Sequence, residues 1–258
     1  MSGQPTRAGL SPEATDRQRW APAPATWRQW ARFVRRPVLP DQADTGVTGG
    51  LKAVLPLLGL DLALMALLLG AIGAAFALGF EMPEHMLGGM ALTPVLVAVF
   101  VIYMPIGEEI LFRGWLSGRI GHVLGTVLSI PAFVAGLMWV SPGPPGATEP
   151  DLLILFSVFA GFATLALIAI YLSRRRDAPK WFQRHFTWFY WASALGFAAV
   201  HLTNFAAAGP ALLPLVLPQL ALALILGYLR VTRGLWTSML LHMLHNGVFV
   251  AVMLAGAS

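Results

Sequence analysis

Seven apolar stretches mark this chain. They run from about Leu51 to Phe80, Leu87 to Phe112 (with a continuation to Gly118), Ile120 to Val140, Leu152 to Leu172, Phe186 to Phe205, Ala211 to Leu229 and Leu235 to Ala255. A helix that crosses a bilayer needs roughly 20 mostly apolar residues, and these stretches are of that order. The pattern predicts an all-α, polytopic transmembrane bundle of about seven spans. Residues 1–50 stand apart as a polar, Pro-rich, basic N-terminal arm without the apolar core of a signal peptide. Within it Trp27, Trp30 and Phe33 alternate with Arg28, Arg32, Arg35 and Arg36. Two readings fit that alternation equally, a short interfacial helix on anionic lipid and a disordered basic arm.

The connecting segments alternate in charge. The arm is rich in arginine; Glu81–Met86 holds two acids and no basic residue; Arg113 and Arg119 follow the second stretch; Ser141–Asp151 is acidic; Arg174, Arg175, Arg176, Lys180 and Arg184 come next. The connection after the fifth stretch has no basic residue, and Arg230 and Arg233 precede the last. This is the pattern of the positive-inside rule, and it places the N-terminus in the cytoplasm and the C-terminus on the far side.

Composition agrees. Of 258 residues, 57% are hydrophobic and 11% charged, whereas soluble domains carry about a quarter charged residues. The net charge of +5 is explained by arginines flanking apolar stretches, so no nucleic-acid partner is expected. There is no cysteine, which excludes disulfides, thiol catalysis and cysteine-ligated metals.

Ionisable side chains at membrane depth are costly and mark functional sites. The candidates are Glu108, Glu109, Arg113, His201, His242, His245 and Asn246, with Asp61 in the first stretch. Glu109 lies four residues before Arg113, the favourable order for a helical ion pair. Glu108 faces about 100° away and is the better candidate for a proton-accepting carboxylate. Pro105, just before, kinks or restarts the helix. Phe197 and His201 share a face, where the histidine alone could be an interhelical hydrogen bond. His242 and Asn246 also share a face and can donate toward one point, as an oxyanion requires, although polar interhelical contacts would produce the same pair. His245 lies off that face and reads as packing or support. Counted from the basic flanks at 1.5 Å per residue, His242 lies about 10 Å deep and Glu108 and His201 about 15–20 Å, provided the second helix runs past Phe112.

Three segments carry these residues: GEEILFRGWL from Gly107, LGFAAVHLTN from Leu195 and LHMLHNG from Leu241. In this order they resemble the CPBP (CAAX protease and bacteriocin-processing) family of intramembrane glutamic endopeptidases, with its Glu-Glu-x-x-x-Arg, Phe-x-x-x-His and His-x-x-x-Asn motifs. The resemblance is clear over about residues 100–120 and 190–250. It implies a multi-pass protein of the bacterial inner membrane that hydrolyses a peptide bond in a protein or peptide substrate. It implies Glu108 as the base activating water, His201 helping to hold that water, His242 and Asn246 stabilising the oxyanion, and Glu109 with Arg113 as supporting scaffold. No cofactor is implied. One departure is the separation of the glutamates from His201, more than ninety residues, longer than is usual in the family. It marks residues 120–173 as an inserted helical hairpin in a membrane domain of residues 51–258, and it makes prenylated-protein cleavage an unsafe inference.

A zinc-dependent protease is the nearest alternative, since Glu and His are zinc ligands, but there is no His-Glu-x-x-His. Gly-x-Ser-x-Gly and Gly-x-Gly-Asp are also absent, and Ser238 is a lone helical serine. A proton-relaying transporter or a scaffold is the non-enzymatic alternative. A retinal protein is excluded because Lys52 and Lys180 are the only lysines and neither is in the last stretch. The cysteine-free sequence permits a direct test of topology: a membrane-impermeant thiol reagent should label Asp177→Cys from the cytoplasmic face and Ser258→Cys from the other. Labelling of both from one face would overturn the orientation.

Overall fold

The computed structural model describes residues 23–81, 83, 92–140, 149–173, 176–205 and 209–256, and it is helical throughout. The helices are α1 (Ala23–Arg35), α2 (Val47–Ala77), α3 (Pro94–Ser117), α4 (Ile120–Val140), α5 (Glu149–Leu172), α6 (Lys180–Arg184), α7 (Phe186–Val200), α8 (Leu217–Arg233) and α9 (Leu235–Gly256). Each of the seven apolar stretches contributes one of α2–α5 and α7–α9. By length and composition, α2, α3, α8 with its preceding turn (Leu212–Arg233) and α9 can each cross a membrane. Shorter apolar runs occupy α4 and α5, at Ile120–Gly136 and Ser157–Leu172, and α7 has 15 residues continued by a 3-10 turn over His201–Asn204. Helices suit this setting because in hydrocarbon every backbone N–H and C=O must find its partner within the protein. Of the loop charges read above, Glu84, Arg174 and Arg175 lie outside the described residues, as do residues 141–148.

The sequence 23–35 forms a helix. It is tied to α2 by the Trp27 indole N–H, which donates to the Pro56 carbonyl at 2.7 Å. Its Phe33 packs edge-on against Tyr190 and Tyr228 at 5.3 and 5.2 Å. Behind it Val54 and Leu57 of α2, Ile225, Leu226 and Leu229 of α8 and Leu241 of α9 form a fully buried core. Large apolar side chains such as Leu67, Leu167 and Val252 point outward, a surface suited to lipid. The basic segments gather at one end: Arg119 pairs with Asp177 at 3.3 Å, Arg233 with Asp44, and Arg230 donates to the Gly114 carbonyl at 2.8 Å.

Helix α3 is irregular. It begins as an α-helix, widens to a π turn over Val99–Tyr103, returns to α over Met104–Arg113 and tightens to 3-10 over Gly114–Ser117. Gly118, at φ 67°, then ends it. The 3-10 extension places Glu108 about 15 Å from the end of α3. A helix end leaves carbonyls without intrahelical donors, and here they are satisfied from outside. Ser193 donates to the Phe112 carbonyl at 2.6 Å, and Arg230 Nε to that of Arg113 at 2.9 Å.

The α4–α5 hairpin is packed directly on α3. Thr126 donates to the Ile110 carbonyl at 3.3 Å, and the Tyr103 hydroxyl to the Phe133 carbonyl at 2.9 Å. Phe133 stacks on Tyr103 with ring centroids 5.5 Å apart, and its edge presses on Gly107 so closely that a Cβ there would lie 1.8 Å from Cε2. Gly107 is thus set by space, one residue before Glu108. Gly107→Ala should destabilise the protein by about 1–3 kcal/mol through overpacking, with part of the loss recovered in Gly107→Ala/Phe133→Leu. Thermal unfolding of the detergent-solubilised protein would show it, and an unchanged midpoint for Gly107→Ala would refute the packing.

Candidate active site

The site is built on three helices. Glu108, Glu109 and Arg113 lie on the regular part of α3, His201 at the end of α7, and His242 and Asn246 on α9. Glu109 and Arg113 are both fully buried and pair through Oε1 and Nη1 at 2.9 Å. The same Oε1 lies 3.0 Å from Nδ1 of His242. A carboxylate accepts only, so the imidazole donates through Nδ1–H and its Nε2 is the free nitrogen. That nitrogen is directed at Glu108, with Oε2 3.6 Å away. The two glutamates therefore bracket one imidazole, Glu109 wholly inside the protein and Glu108 with a side chain 17% exposed.

Phe197 joins the helices. Its ring lies under the Arg113 guanidinium at 4.0 Å, meets Phe112 edge-on at 5.4 Å, and flanks His201 and His242 at 4.5 and 5.8 Å between centroids. The cation–π contact adds to the single carboxylate partner of Arg113, whose Nε and Nη2 make no hydrogen bond among the described residues. His201 donates from Nδ1 to the Phe197 carbonyl, 2.8 Å away. A carbonyl also only accepts, so Nε2 of His201 is left as an acceptor.

Asn246 has a partner that spacing could not reveal. Its Nδ2 donates to the Phe100 carbonyl at 2.8 Å. In the π turn the Met104 N–H bonds to the Val99 carbonyl, so the next bond in that register would run from residue 105 to Phe100. Residue 105 is proline and has no N–H. The side chain of Asn246 supplies the missing donor, and one of its two amide hydrogens is thereby engaged.

A second acid–imidazole pair lies where α9 meets α2. His245 Nδ1 is 2.6 Å from Oδ2 of Asp61, which is fully buried in α2. The sequence singled out both residues as ionisable groups within spans but did not couple them. Arg230, a structural anchor for the end of α3, carried no signal beyond its place in a basic flank. Among the described residues no group of three or more His, Asp or Glu side chains is arranged to hold a metal ion.

Comparison with protein families finds a match to the model described as "Type II CAAX prenyl endopeptidase Rce1-like" over residues 90–248. Comparison with curated proteins and with solved structures finds no match.

The shared use of Oε1 yields a prediction. Glu109→Gln leaves Arg113 as an uncompensated buried charge and should cost about 3–5 kcal/mol. Glu109→Gln/Arg113→Met should cost less than the sum of the single changes, because the two act as one unit. Chemical or thermal unfolding of the four proteins measures the coupling, and strict additivity would show that the pair is not one.

Proposed function

The chain belongs to the Rce1-like type II CAAX prenyl endopeptidases, an intramembrane protease family, and from that premise we propose that it cleaves a protein or peptide substrate within the membrane by a water that Glu108 activates. The observation that carries this reading is the bracketing of His242: Glu109 engages one nitrogen, and the other faces the more accessible Glu108 across 3.6 Å. A water placed about 2.8 Å from both of these atoms would be hydrogen-bonded to each.

The roles follow from donors and acceptors. Glu108 as carboxylate takes a proton from the water as its oxygen attacks the scissile carbonyl carbon. His201, whose Nδ1–H is committed to the Phe197 carbonyl, accepts the other water hydrogen at Nε2 and aims the nucleophile. The new oxyanion needs donors. His242 supplies one through Nε2–H in the form that carries both ring protons, with Nδ1–H held by the Glu109 carboxylate. Asn246 supplies the other through the amide hydrogen not given to Phe100. Collapse of the tetrahedral intermediate breaks the C–N bond, and the proton held by Glu108 passes to the leaving amine. Glu109 and Arg113 touch no reacting atom; they hold His242 in position. The reading invokes no covalent acyl-enzyme.

Glu108→Gln keeps size and hydrogen-bonding capacity but cannot take a proton. It should lower cleavage by about 10²–10⁴-fold, the usual worth of general-base catalysis, with insertion and thermal stability unchanged. Peptide profiles of membranes carrying wild type and variant should differ by one accumulating precursor, and full-rate cleavage by the variant would refute the mechanism. Cleavage by wild type should also persist after exhaustive chelation, whereas loss restored by zinc would favour the metal-dependent alternative.

A further inference from the structure

A cavity of about 880 Å³ lies between the α4–α5 hairpin and the turn joining α8 to α9, and neither Glu108, His201, His242 nor Asn246 lines it. Its walls differ in character. Ala163, Ala166, Leu167 and Ile170 of α5 line one side, and Arg230, His122 and Arg119 another. Arg230 is 6% exposed. Its hydrogen bonds go to the Arg113 and Gly114 carbonyls and to His122 Nδ1 at 3.3 Å, and among the described residues no carboxylate lies within ion-pair distance of it. All its hydrogen bonds go to neutral groups, and the carboxylate whose charge reaches it, Glu109, is already shared by Arg113 and His242, so a further counter-ion is favourable at this buried cation.

His122 extends the same preference. An arginine can only donate, so Nδ1 of His122 accepts from Arg230, and Ser117 Oγ, at 2.7 Å from the same nitrogen, is its second donor. The ring proton is then on Nε2, which makes His122 a donor as well. Arg119 adds a third, its pairing with Asp177 being solvent-exposed and weak. Asp41 and Gln42 line the cavity from the exposed segment after α1, and Asp41 would oppose an anion there. The buried groups outweigh it because their interactions are less screened.

From a donor-rich, positively charged wall facing an apolar one, we propose that this cavity binds an anionic amphiphile, a phosphate- or carboxylate-bearing headgroup on Arg230 and His122 with its hydrocarbon chain along α5. The site lies at the basic end of the bundle, where anionic headgroups are attracted, and it is framed by the hairpin. The proposal is independent of the proteolytic mechanism.

Native mass spectrometry of the full detergent-solubilised chain tests it, titrated in parallel with phosphatidylglycerol, phosphatidylcholine, dihexanoyl-phosphatidylglycerol and inorganic phosphate. Saturable binding of one phosphatidylglycerol is expected, at least about tenfold tighter than that of phosphatidylcholine or the short-chain lipid. Arg230→Gln should weaken it about tenfold. Because Arg230 also holds the end of α3, a second variant, Ala163→Trp, fills the apolar side and leaves the Arg230 hydrogen bonds in place; it should remove the bound lipid with unchanged cleavage. Inorganic phosphate binding as tightly as the lipid would make this a free-anion site and overturn the proposal. So would equal retention of phosphatidylcholine, or full lipid binding by Ala163→Trp.

Discussion

The Oε1 atom of Glu109 holds this site together. One buried carboxylate oxygen meets a guanidinium from its own helix at 2.9 Å and an imidazole from α9 at 3.0 Å. An isolated charge at that depth would be prohibitive, so each partner makes the others tolerable. Arg113 in turn lies on the Phe197 ring, which brings α7 into the same assembly. The outcome is a fixed imidazole orientation: with Nδ1 committed, Nε2 can face only Glu108. Positioning and stability are one problem here, because the groups that orient His242 are those whose separation would strand charges inside the protein.

The end of α3 is governed by the same constraint at the backbone. Its last carbonyls receive Ser193 from α7 and Arg230 from α8, so the helix bearing Glu108 is held at both sides of the bundle. The hairpin adds a third restraint through Phe133 against Gly107 and Thr126 on the Ile110 carbonyl. Helices α4 and α5, which separate the motifs in sequence, therefore pack against the helix bearing Glu108 rather than beside the bundle.

Much of this was legible in the sequence because the membrane simplifies the code. Apolar runs named the helices, and the i, i+4 spacing of Glu109 and Arg113 named their ion pair. Pro105 signalled an interruption, which the structure realises as a π turn. What stayed hidden depends on encounters between distant segments. Glu109 and His242 are 133 positions apart, and Asp61 and His245 184; spacing within one helix carries no information about either meeting. The same holds for Asn246, which its spacing paired with His242 as a donor toward one point and which gives one amide hydrogen to Phe100, 146 positions away. The arm before α2 was ambiguous for another reason: its alternation of aromatic and basic residues fits an interfacial helix and a disordered arm alike, and the contacts of Trp27 and Phe33 with the bundle are tertiary.

The bond from Asn246 to Phe100 bears on biogenesis. Synthesis delivers α3 to the bilayer well over a hundred residues before α9, and until then the Phe100 carbonyl sits in hydrocarbon with no donor of its own, a defect worth several kcal/mol. The nascent span must borrow water or a chaperoning partner, or adopt another register, and it reaches its mature geometry once the last helix arrives. A chain truncated ahead of Asn246 would thus lose more than one polar side chain; it would leave the earlier span unfinished.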